Sequence, residues 1–282
     1  MRDKSGEIPF RMTIPAKKKT ILITGGTSGL GLNLVRLFLA EGYHVVTTGR
    51  RTVSFPGYEE SFTFYRVDFS NLVLAAAVFK AICFEHEIDV LINNAGVLSP
   101  VDKKITEDDL EYTYQVNFLA HLLLDMLVIT NKKSGRPLKI VSVTSPVYRI
   151  ANLREAGDVK AYIAAKAYSQ SKLYLAIMCR HLKSLFPDGN FRCFSFDPGI
   201  FGSGIYRMRG KFFSFLYRIA SPFMRRSSTV ARRLVEYILM DQSPDGVIVD
   251  FRRRIRRIPE FQGETEDKFW NECQAIISGL TG

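Results

Sequence analysis

A glycine-rich turn behind a short apolar run constrains this chain of 282 residues more than any other feature. Residues 20–24 (TILIT) are apolar and β-branched, residues 24–31 read TGGTSGLG, and apolar residues then recur at helical spacing as far as Phe38. The pattern predicts a strand, a tight turn and a helix. Glycines allow a sharp bend close to a diphosphate, and the helix offers free N–H groups and a positive dipole end. The turn therefore indicates a nucleotide site, with a merely structural turn as the alternative.

Apolar segments alternate with helical ones along the rest of the chain. Each is short and rich in β-branched or aromatic residues, as a buried strand requires. They are residues 43–48, 61–67, 89–93, 138–144, 191–196 and 246–250. Because strands that alternate with helices form a parallel sheet covered on both faces, we predict an α/β fold. It is a single doubly wound Rossmann domain over residues 18–282, with a central parallel sheet of about seven strands, behind a polar extension of residues 1–17.

The end of the second predicted strand indicates which nucleotide the chain binds. In dinucleotide-binding folds an acidic residue near this point accepts hydrogen bonds from the adenosine ribose, whereas an arginine accommodates a 2′-phosphate. Here the strand ends Thr47-Thr48-Gly49-Arg50-Arg51, without a carboxylate. This favours NADP(H) over NAD(H), with Arg50 as the preferred ligand because a guanidinium pairs with phosphate in bidentate fashion. The alternative is that both arginines are solvated loop charges.

Charge and cysteine content exclude some functional classes. The formal net charge of +11 suggests either an anionic partner or a solvated basic surface that also holds a phosphorylated cofactor. The basic run Arg252–Arg257 has no nucleic-acid-binding motif beside it, so we interpret it as a solvated surface or a salt-bridged loop and predict no nucleic-acid partner. The four cysteines and four histidines lack metal-ligand spacing, so we predict no metal site and interpret each histidine as structural or exposed.

The same composition predicts where the protein resides. Widely spaced cysteines favour a reducing, cytoplasmic compartment. The N-terminus lacks the apolar core of a signal peptide, and we expect no membrane-spanning segment.

Several motifs, in the order in which they occur, resemble the short-chain dehydrogenase/reductase family. TGGTSGLG resembles the family's TGxxxGxG turn, and residues 93–96 (NNAG), 140–145 (IVSVTS) and 197–199 (DPG) resemble its NNAG stretch, its serine-bearing strand and its PG turn. YSQSK at residues 168–172 resembles its YxxxK motif. The resemblance covers residues 18–250 and extends to the branch that includes retinol dehydrogenases through LINNAGV, VNFLAHLLL, YSQSKL and the C-terminal KFWNECQ.

Two tyrosine–lysine pairs have the spacing that this family's chemistry requires. In the family a tyrosine exchanges a proton with the substrate oxygen while hydride moves to or from the nicotinamide, and a cation one helical turn away lowers the cost of the phenolate. Tyr162/Lys166 and Tyr168/Lys172 are both i,i+4 pairs. Tyr168 precedes Pro198 by 30 residues, close to the family's interval, whereas Tyr162 precedes it by 36. We therefore assign catalysis to Tyr168 and Lys172, and place the other pair at the start of the helix with Lys166 as a solvated charge.

The resemblance implies roles for further residues. Ser145 would hydrogen-bond the substrate carbonyl and stabilise the developing oxyanion, whereas Ser142 stands where the family more usually has asparagine. Lys172 would also hold the nicotinamide ribose, and Asn117 would anchor a water that relays protons from that lysine. The implied catalytic residues are Asn117, Ser145, Tyr168 and Lys172. The implied cofactor-binding residues are Gly25, Thr27, Ser28, Gly29, Leu30, Gly31, Arg50, Arg51, Asp68, Phe69, Asn94, Ala95, Gly96, Tyr168, Lys172, Pro198, Gly199 and Ser203.

For two of these cofactor-binding residues, the sequence leaves an alternative role or departs from the family. Asp68 would approach the adenine ring together with the backbone of Phe69, and the alternative is a helix N-cap or a turn residue. Ser203 stands where the family often has threonine near the nicotinamide amide, and it keeps the hydroxyl.

The segment of residues 205–226 interrupts the alternation of strands and helices. Its apolar residues recur at steps of three or four between basic ones, which predicts a helical, amphipathic lid over the substrate site and a lipophilic substrate. The alternatives are a lid that also makes peripheral contact with a membrane, since phenylalanine beside arginine suits an anionic lipid surface, and packing in a core or a homo-oligomer.

These observations together predict an NADP(H)-dependent oxidoreductase that interconverts a lipophilic ketone or aldehyde and its alcohol. The alternative from another class is a nucleotide-binding regulatory or scaffolding protein that kept the fold but lost turnover. The intact set of Ser145, Tyr168 and Lys172 argues against that alternative, because a pure binder has no need of it.

Overall fold

The apolar run before the glycine turn is the first strand of the sheet on which the fold is built. The computed structural model describes residues 19–133, 135–151, 162–199, 225–260 and 264–281. The strands are β1 (Thr20–Thr24), β2 (His44–Gly49), β3 (Phe62–Arg66), β4 (Val90–Asn93), β5 (Leu138–Val143), β6 (Phe191–Asp197), β7 (Val247–Asp250) and β8 (Ile255–Arg257). The helices are α1 (Gly29–Ala40), α2 (Leu72–Glu85), α3 (Tyr112–Thr130), α4 (Ala164–Leu185), α5 (Ser227–Leu239) and α6 (Glu264–Thr281). Short 3₁₀ turns cover Glu59–Ser61 and Pro146–Ile150.

The order of the strands places a crevice at one edge of the sheet. The order is β3-β2-β1-β4-β5-β6-β7-β8, and the first seven strands in the chain run parallel. The direction of winding reverses between β1 and β4, so the loops that follow these two strands leave on opposite faces. Ligands of doubly wound sheets bind at the carboxyl edge beside such a reversal. The topology therefore puts the glycine turn after β1 and residues 94–96 after β4 side by side.

The predicted α/β architecture is confirmed, with one addition to the sheet. Each of the seven predicted strands is present, and no strand end differs from the prediction by more than one residue. The eighth strand, β8, pairs antiparallel with β7 inside the basic run of residues 252–257. The run was interpreted as a solvated surface or a salt-bridged loop. Residues 252–254 agree with this interpretation, since they are exposed and Arg253 Nη2 lies 3.4 Å from Glu236 Oε2, whereas residues 255–257 form a strand. Ile255 is 69% exposed, so β8 lacks the buried apolar pattern that identified the other strands.

Two hydrophobic cores cover the two faces of the sheet. One core lies under α1 and α5, and the other lies under α2, α3, α4 and α6. Strand side chains alternate between them, as the pleat requires: Ile21 and Ile23 belong to the first core, and Leu22 to the second. Both faces of the parallel strands are therefore buried, in agreement with their near-continuous apolar sequences.

Helix α3 combines high apolarity with deep burial. Tyr112–Thr130 is long and apolar enough to cross a bilayer by length and composition alone, but 83% of its 18-residue window is buried inside the fold. Its apolar surface faces β4, β5 and the neighbouring helices. A core helix that is covered by protein on most sides has this composition without any membrane.

Three predictions concern positions outside the described residues. The N-terminal extension of residues 1–17, the cofactor contact assigned to Ser203, and the lid of residues 205–226 apart from Arg225 and Arg226 all fall in this part of the chain.

The C-terminal helix α6 is anchored by aromatic rings. Phe269 is 1% exposed, and its ring centroid lies 4.5 Å from that of Tyr174 and 5.7 Å from that of Phe118. A ring clustered in this way contributes both buried area and favourable ring–ring contacts. Helix α6 is therefore part of the core beside α3 and α4.

Replacing Phe269 tests this anchoring. We expect Phe269→Ala to lower the free energy of unfolding by about 3–5 kcal/mol, because it leaves a cavity between α3, α4 and α6. Phe84→Ala is the control, since that ring is 84% exposed and its loss should change stability by less than about 0.5 kcal/mol. Urea-induced unfolding of both variants is the measurement. Equal stability of the two variants would show that α6 is not anchored by this ring.

Candidate active site

A cleft of about 210 Å³ lies at the carboxyl edge of the sheet. It runs from the ends of β2 and β3 across the glycine turn to the start of α4. Most of the predicted site residues meet there. They are Gly25, Thr27, Ser28, Gly29, Leu30, Arg50, Asp68, Phe69, Asn94, Ala95, Gly96, Ser145, Tyr168, Lys172, Pro198 and Gly199.

Three predicted residues within the described part of the chain do not line this cleft. Gly31 and Asn117 lie behind its wall, and the exposed Arg51 lies beyond its rim. The cleft also has lining residues that were not predicted: Thr48, Gly49, Val67, Val97, Tyr112, Val116, Val143 and Thr144. Several of these follow or end strands, so the rule that ligands bind at carboxyl ends could have found them. Tyr112 and Val116 share one face of α3, and nothing in the sequence distinguishes that face from the buried ones.

The glycine turn has the geometry that its sequence predicts. Gly25 and Gly29 have φ of +70° and +57°, in the left-handed region that favours glycine. Nothing lies within 4 Å of the position that a Cβ would take at Gly29, where α1 begins. The open space is in front of the free N–H groups and positive dipole end of that helix, which favour an anionic group.

The turn is also held against the end of β4 by close backbone packing. A Cβ at Gly25 would lie 2.9 Å from Ala95 Cα, and one at Gly31 would lie 2.3 Å from Gly25 O. The Asn94 side chain donates from Nδ2 to Thr24 O at 2.8 Å and to Gly25 O at 3.3 Å. Gly31 and Asn94 therefore shape the cleft, and Gly31 does so without lining it.

The structure distinguishes the two tyrosine–lysine pairs. Tyr168 and Lys172 are both in α4, both line the cleft, and Lys172 Nζ lies 5.8 Å from the centroid of the Tyr168 ring. Tyr162 precedes α4, and its hydroxyl donates to Pro100 O at 3.0 Å. Its partner Lys166 is exposed. Only the Tyr168/Lys172 pair therefore places both groups in the cleft on one helix.

Lys172 is held in an unusual environment for an ammonium group. The residue is 4% exposed, and its Nζ donates to Val143 O at 3.1 Å. Burial lowers the pKa of the Lys172 ammonium to about 8, because removal from water disfavours the charged form. A cation that is held close to a phenol in this way can tune proton exchange near neutral pH.

Three hydroxyl residues lie at the end of β5, and they face different surroundings. Ser142 is buried beside Asn93, whose Nδ2 lies 3.4 Å from the Ser142 hydroxyl. Thr144 donates to the backbone carbonyl of Lys172 at 2.7 Å. Ser145 lines the cleft with Tyr168 and Lys172. Its hydroxyl is therefore the one of the three best placed to reach a ligand oxygen near the Tyr168 phenol.

Asn117 lies behind the cleft, in a π-helical turn of α3 that covers Gln115–Leu119. Its side chain accepts from Val97 N at 2.7 Å and donates to Val97 O at 2.9 Å and to Ser171 Oγ at 3.0 Å. It is also close to Lys172, because a Cβ at Gly96 would be 3.4 Å from Asn117 Oδ1 and 3.5 Å from Lys172 Nζ. π turns frequently mark functional sites. Asn117 in this turn lies behind the residues that line the cleft.

The rim near β2 carries one loosely paired arginine. Arg50 Nη1 lies 4.0 Å from Asp68 Oδ2, and these side chains are 59% and 47% exposed. An exposed pair at this distance contributes little stability. Arg50 can therefore turn to an anion in the cleft at small cost. Asp68 also accepts from the backbone N–H and hydroxyl of Ser70, so the turn role considered for it is present together with its position in the cleft.

Comparison with known proteins identifies the relatives of this chain. Residues 19–211 match the family described as short chain dehydrogenase. Human (Homo sapiens) polyprenol dehydrogenase is 30% identical over 213 residues, which cover 68% of this chain and 64% of that protein. Retinol dehydrogenase 12 of Mus musculus is 28% identical over 230 residues, which cover 76% of this chain and 71% of that protein. The chain thus spans somewhat less than two thirds of the polyprenol dehydrogenase.

Solved structures share the fold at lower sequence identity. A 4-hydroxyisoleucine dehydrogenase mutant complexed with NADH and succinate superposes with a TM-score of 0.65 at 21% identity, over 82% of this chain and 97% of that one. ElxO with NADP bound superposes with a TM-score of 0.61 at 20% identity, over 83% and 97% of the two chains. At these identities the likeness concerns the fold alone.

The close packing at Gly31 generates a prediction about the cleft. We expect Gly31→Ala to lower the free energy of unfolding by about 1–3 kcal/mol, because the added methyl group meets backbone that has no room to move. Gly279→Ala is the matched control, since this helical glycine has nothing within 4 Å of the Cβ position. That control should keep or slightly raise stability. Urea-induced unfolding tests both, and a Gly31→Ala protein as stable as the control would contradict the packing argument.

Proposed function

This chain belongs to the short-chain dehydrogenase family, and we propose that it is an NADP(H)-dependent oxidoreductase that interconverts a lipophilic ketone or aldehyde and its alcohol. The observation that carries the proposal is the meeting of Ser145, Tyr168 and Lys172 in the cleft that the glycine turn also lines. A nucleotide-binding protein without turnover needs the turn but not these three side chains. The curated relatives of this chain include retinol dehydrogenases 12 and 13, so the sequence resembles the retinol dehydrogenase-like branch of the family.

The residues around the glycine turn fit a dinucleotide. The open space before α1 fits a diphosphate on the helix N-terminus, with Thr27, Ser28 and Leu30 beside it. Asp68, Phe69 and residues 94–96 would line the adenine side and Pro198 with Gly199 the other end, and all of these residues line the cleft. When bound, NADP(H) supplies or accepts the hydride. Ser203 is proposed as a further contact on the nicotinamide side, outside the described residues.

The chain's own groups would manage the proton and the substrate oxygen. Tyr168 gives its hydroxyl proton to the alkoxide during reduction and takes one back from the alcohol during oxidation. The Lys172 ammonium stabilises the phenolate form of Tyr168 and holds the ribose of the nucleotide. Ser145 donates to the substrate oxygen and stabilises the developing negative charge. Asn117 anchors a water beside Lys172 through which that lysine regains its proton.

The preference for NADP(H) rests on the end of β2. The Arg50 guanidinium lines the cleft and is bound only loosely to Asp68, and no carboxylate follows β2 to accept the ribose hydroxyls of NAD(H). Arg51 is exposed and lies outside the cleft lining. We therefore assign the 2′-phosphate to Arg50 and give Arg51 at most a long-range electrostatic part.

The lipophilic substrate rests on the relatives and on the sequence of residues 205–226. The relatives are named for retinol and polyprenol, which are long apolar alcohols. We propose that residues 205–226 form the substrate lid. We also propose that the protein is cytoplasmic and that, if it touches a membrane peripherally, it does so through this lid. We also propose one functional domain over residues 18–282, with homo-oligomer formation as a further property.

Turnover by paired tyrosine variants tests the proposed activity. We expect the native protein to consume NADPH with a lipophilic aldehyde or ketone, and Tyr168→Phe to lose about 10²–10⁴-fold in kcat because the proton donor is removed. Tyr162→Phe is the matched control and should keep most of the activity, since the Tyr162 hydroxyl donates to Pro100 O and the residue does not line the cleft. NADPH binding, followed by fluorescence, should be unchanged in Tyr162→Phe and should weaken by no more than about tenfold in Tyr168→Phe, the loss of one hydrogen bond.

Other outcomes of this experiment have distinct meanings. Equal loss in both tyrosine variants would contradict the assignment of the catalytic pair. Tight NADPH binding without turnover of any substrate in a broad panel would favour the nucleotide-binding regulatory protein.

Arginine variants test the choice of nucleotide. We expect Arg50→Ala to weaken NADPH binding by about 10–100-fold, the loss of a charge-assisted hydrogen bond, while leaving the weaker NADH affinity unchanged. Arg51→Ala removes the same charge from the next position and should weaken NADPH binding much less. Dissociation constants for both nucleotides, measured at one ionic strength, are the readout. A larger effect at Arg51, or an equal loss of NADH affinity in Arg50→Ala, would contradict the assignment.

A further inference from the structure

One histidine lies behind the cleft, between the end of β1 and the π turn of α3. His121 lies in α3, is completely buried, and does not line the cleft. Its Nδ1 lies 2.9 Å from Asn117 O, and its Nε2 lies 2.9 Å from Thr24 Oγ1. The imidazole therefore joins the π turn that carries Asn117 to the last residue of β1.

The hydrogen-bond partners determine the protonation of His121. Asn117 O is a carbonyl and can only accept, so Nδ1 carries the proton. Thr24 Oγ1 accepts from the backbone N–H groups of Asn94 and Ala95, each at 2.9 Å, which occupies both of its lone pairs. The single Thr24 hydroxyl proton is then donated to Nε2, since the other acceptor in reach, Ile92 O, is farther away at 3.3 Å. His121 is thus the neutral Nδ1–H tautomer.

A protonated His121 does not fit these partners. A proton on Nε2 would point at an oxygen whose lone pairs are already used, and the residue is 0% exposed to solvent. Burial, opposed by the bond to Asn117 O and aided by the Lys172 charge, lowers the pKa of His121 to about 3. The neutral form and its two hydrogen bonds are therefore kept throughout the neutral pH range.

The bond to Asn117 O lies at a backbone irregularity. In a π turn the amides bond to the fifth residue before them rather than the fourth, and the amide of Ala120 accordingly donates to Gln115 O. The i,i+4 side-chain bond from His121 supplies a donor to Asn117 O within this stretch. The donor helps to keep the turn in place, and with it the Asn117 side chain that clamps Val97 and Ser171.

We propose that His121 is a positioning residue and that each of its two ring nitrogens holds a different part of the site in place. Nε2 orients the Thr24 hydroxyl, which holds Asn94 and Ala95 in place for the nucleotide. Nδ1 holds the π turn, and so Asn117, at a fixed distance from Lys172. The second role rests on the proposed function, whereas the first requires only that the cleft binds a nucleotide.

Three substitutions separate the two ends of the ring. In asparagine the side-chain nitrogen is as many bonds from Cα as Nδ1, so His121→Asn keeps a donor for Asn117 O and loses the Thr24 bond. In glutamine the side-chain oxygen is as many bonds from Cα as Nε2 is in histidine. His121→Gln therefore keeps an acceptor for Thr24 and loses the bond to Asn117 O. His121→Leu removes both bonds at similar volume. His181→Leu is the matched control, since His181 is a partly buried histidine of α4 that stacks on Trp270, 3.8 Å away.

The expected results form a crossed pattern. We expect His121→Asn to weaken NADPH binding by about tenfold, the loss of one hydrogen bond, with kcat within about threefold of native. We expect His121→Gln to keep NADPH binding and to lower kcat by about tenfold or more, because Asn117 is displaced. His121→Leu should show both losses, and His181→Leu neither. Purely structural support would instead lower only the thermal stability of all the His121 variants, without the crossed pattern, and would overturn the proposal.

Two readouts require no turnover and separate this proposal from the proposed function. NMR of ¹⁵N-labelled imidazole in the native protein should show a protonated Nδ1 and an unprotonated Nε2 across neutral pH. Amide hydrogen exchange of residues 115–119 should be faster in His121→Gln and His121→Leu than in His121→Asn. If these hold while no variant or native protein turns over a carbonyl, only the proposed activity fails. The opposite tautomer, or unchanged exchange in all variants, overturns the positioning role whatever the activity.

Discussion

The close backbone contact between the glycine turn and the end of β4 is the constraint on which the site depends. Gly25 and Gly31 leave no room for a Cβ on either side of the turn, and the Asn94 side chain bonds the turn's carbonyls directly. Because β1 and β4 are neighbours whose connections leave on opposite faces, this contact forms at the crevice between the two halves of the sheet. The start of α1 and the loop after β4 then lie together, and the cleft opens between them.

The half of the cleft that holds Tyr168 contains a buried charge. An ammonium that is removed from water without a carboxylate partner costs free energy, and the described hydrogen bond of Lys172 Nζ goes to a backbone carbonyl. A protein selected only for stability would replace such a residue with an apolar one. A buried ammonium beside Tyr168 marks a candidate functional group, since perturbed ionisable residues in clefts concentrate at active sites. The proposed oxidoreductase activity would explain why the chain carries a buried ammonium that destabilises the fold.

Residue patterns in the sequence predicted the fold well where burial produces a strong signal. The seven parallel strands are apolar on both faces, so their sequences stand out, whereas β8 is exposed, basic and short and has no such signal. The chain interval to Pro198 favoured Tyr168 over Tyr162, and in the structure Tyr168 lines the cleft whereas Tyr162 precedes α4. Arg50 and Arg51 are adjacent in sequence, but only the direction of the backbone at the end of β2 places one of them in the cleft.

The sequence by itself determined the local elements and the chemical types in the site, because hydrophobic periodicity, glycine and the tyrosine–lysine spacing are short-range properties. Only the tertiary structure decided which residues line the cleft and which support it from behind. Gly31 and Asn117 belong to the second group, and His121 was interpreted as merely structural or exposed before its bonds to Thr24 and Asn117 were known. These roles depend on contacts between β1, β4 and α3, whose residues are distant in the chain. Hydrogen bonds across such distances follow from the packing of the sheet and helices, and no local pattern encodes them.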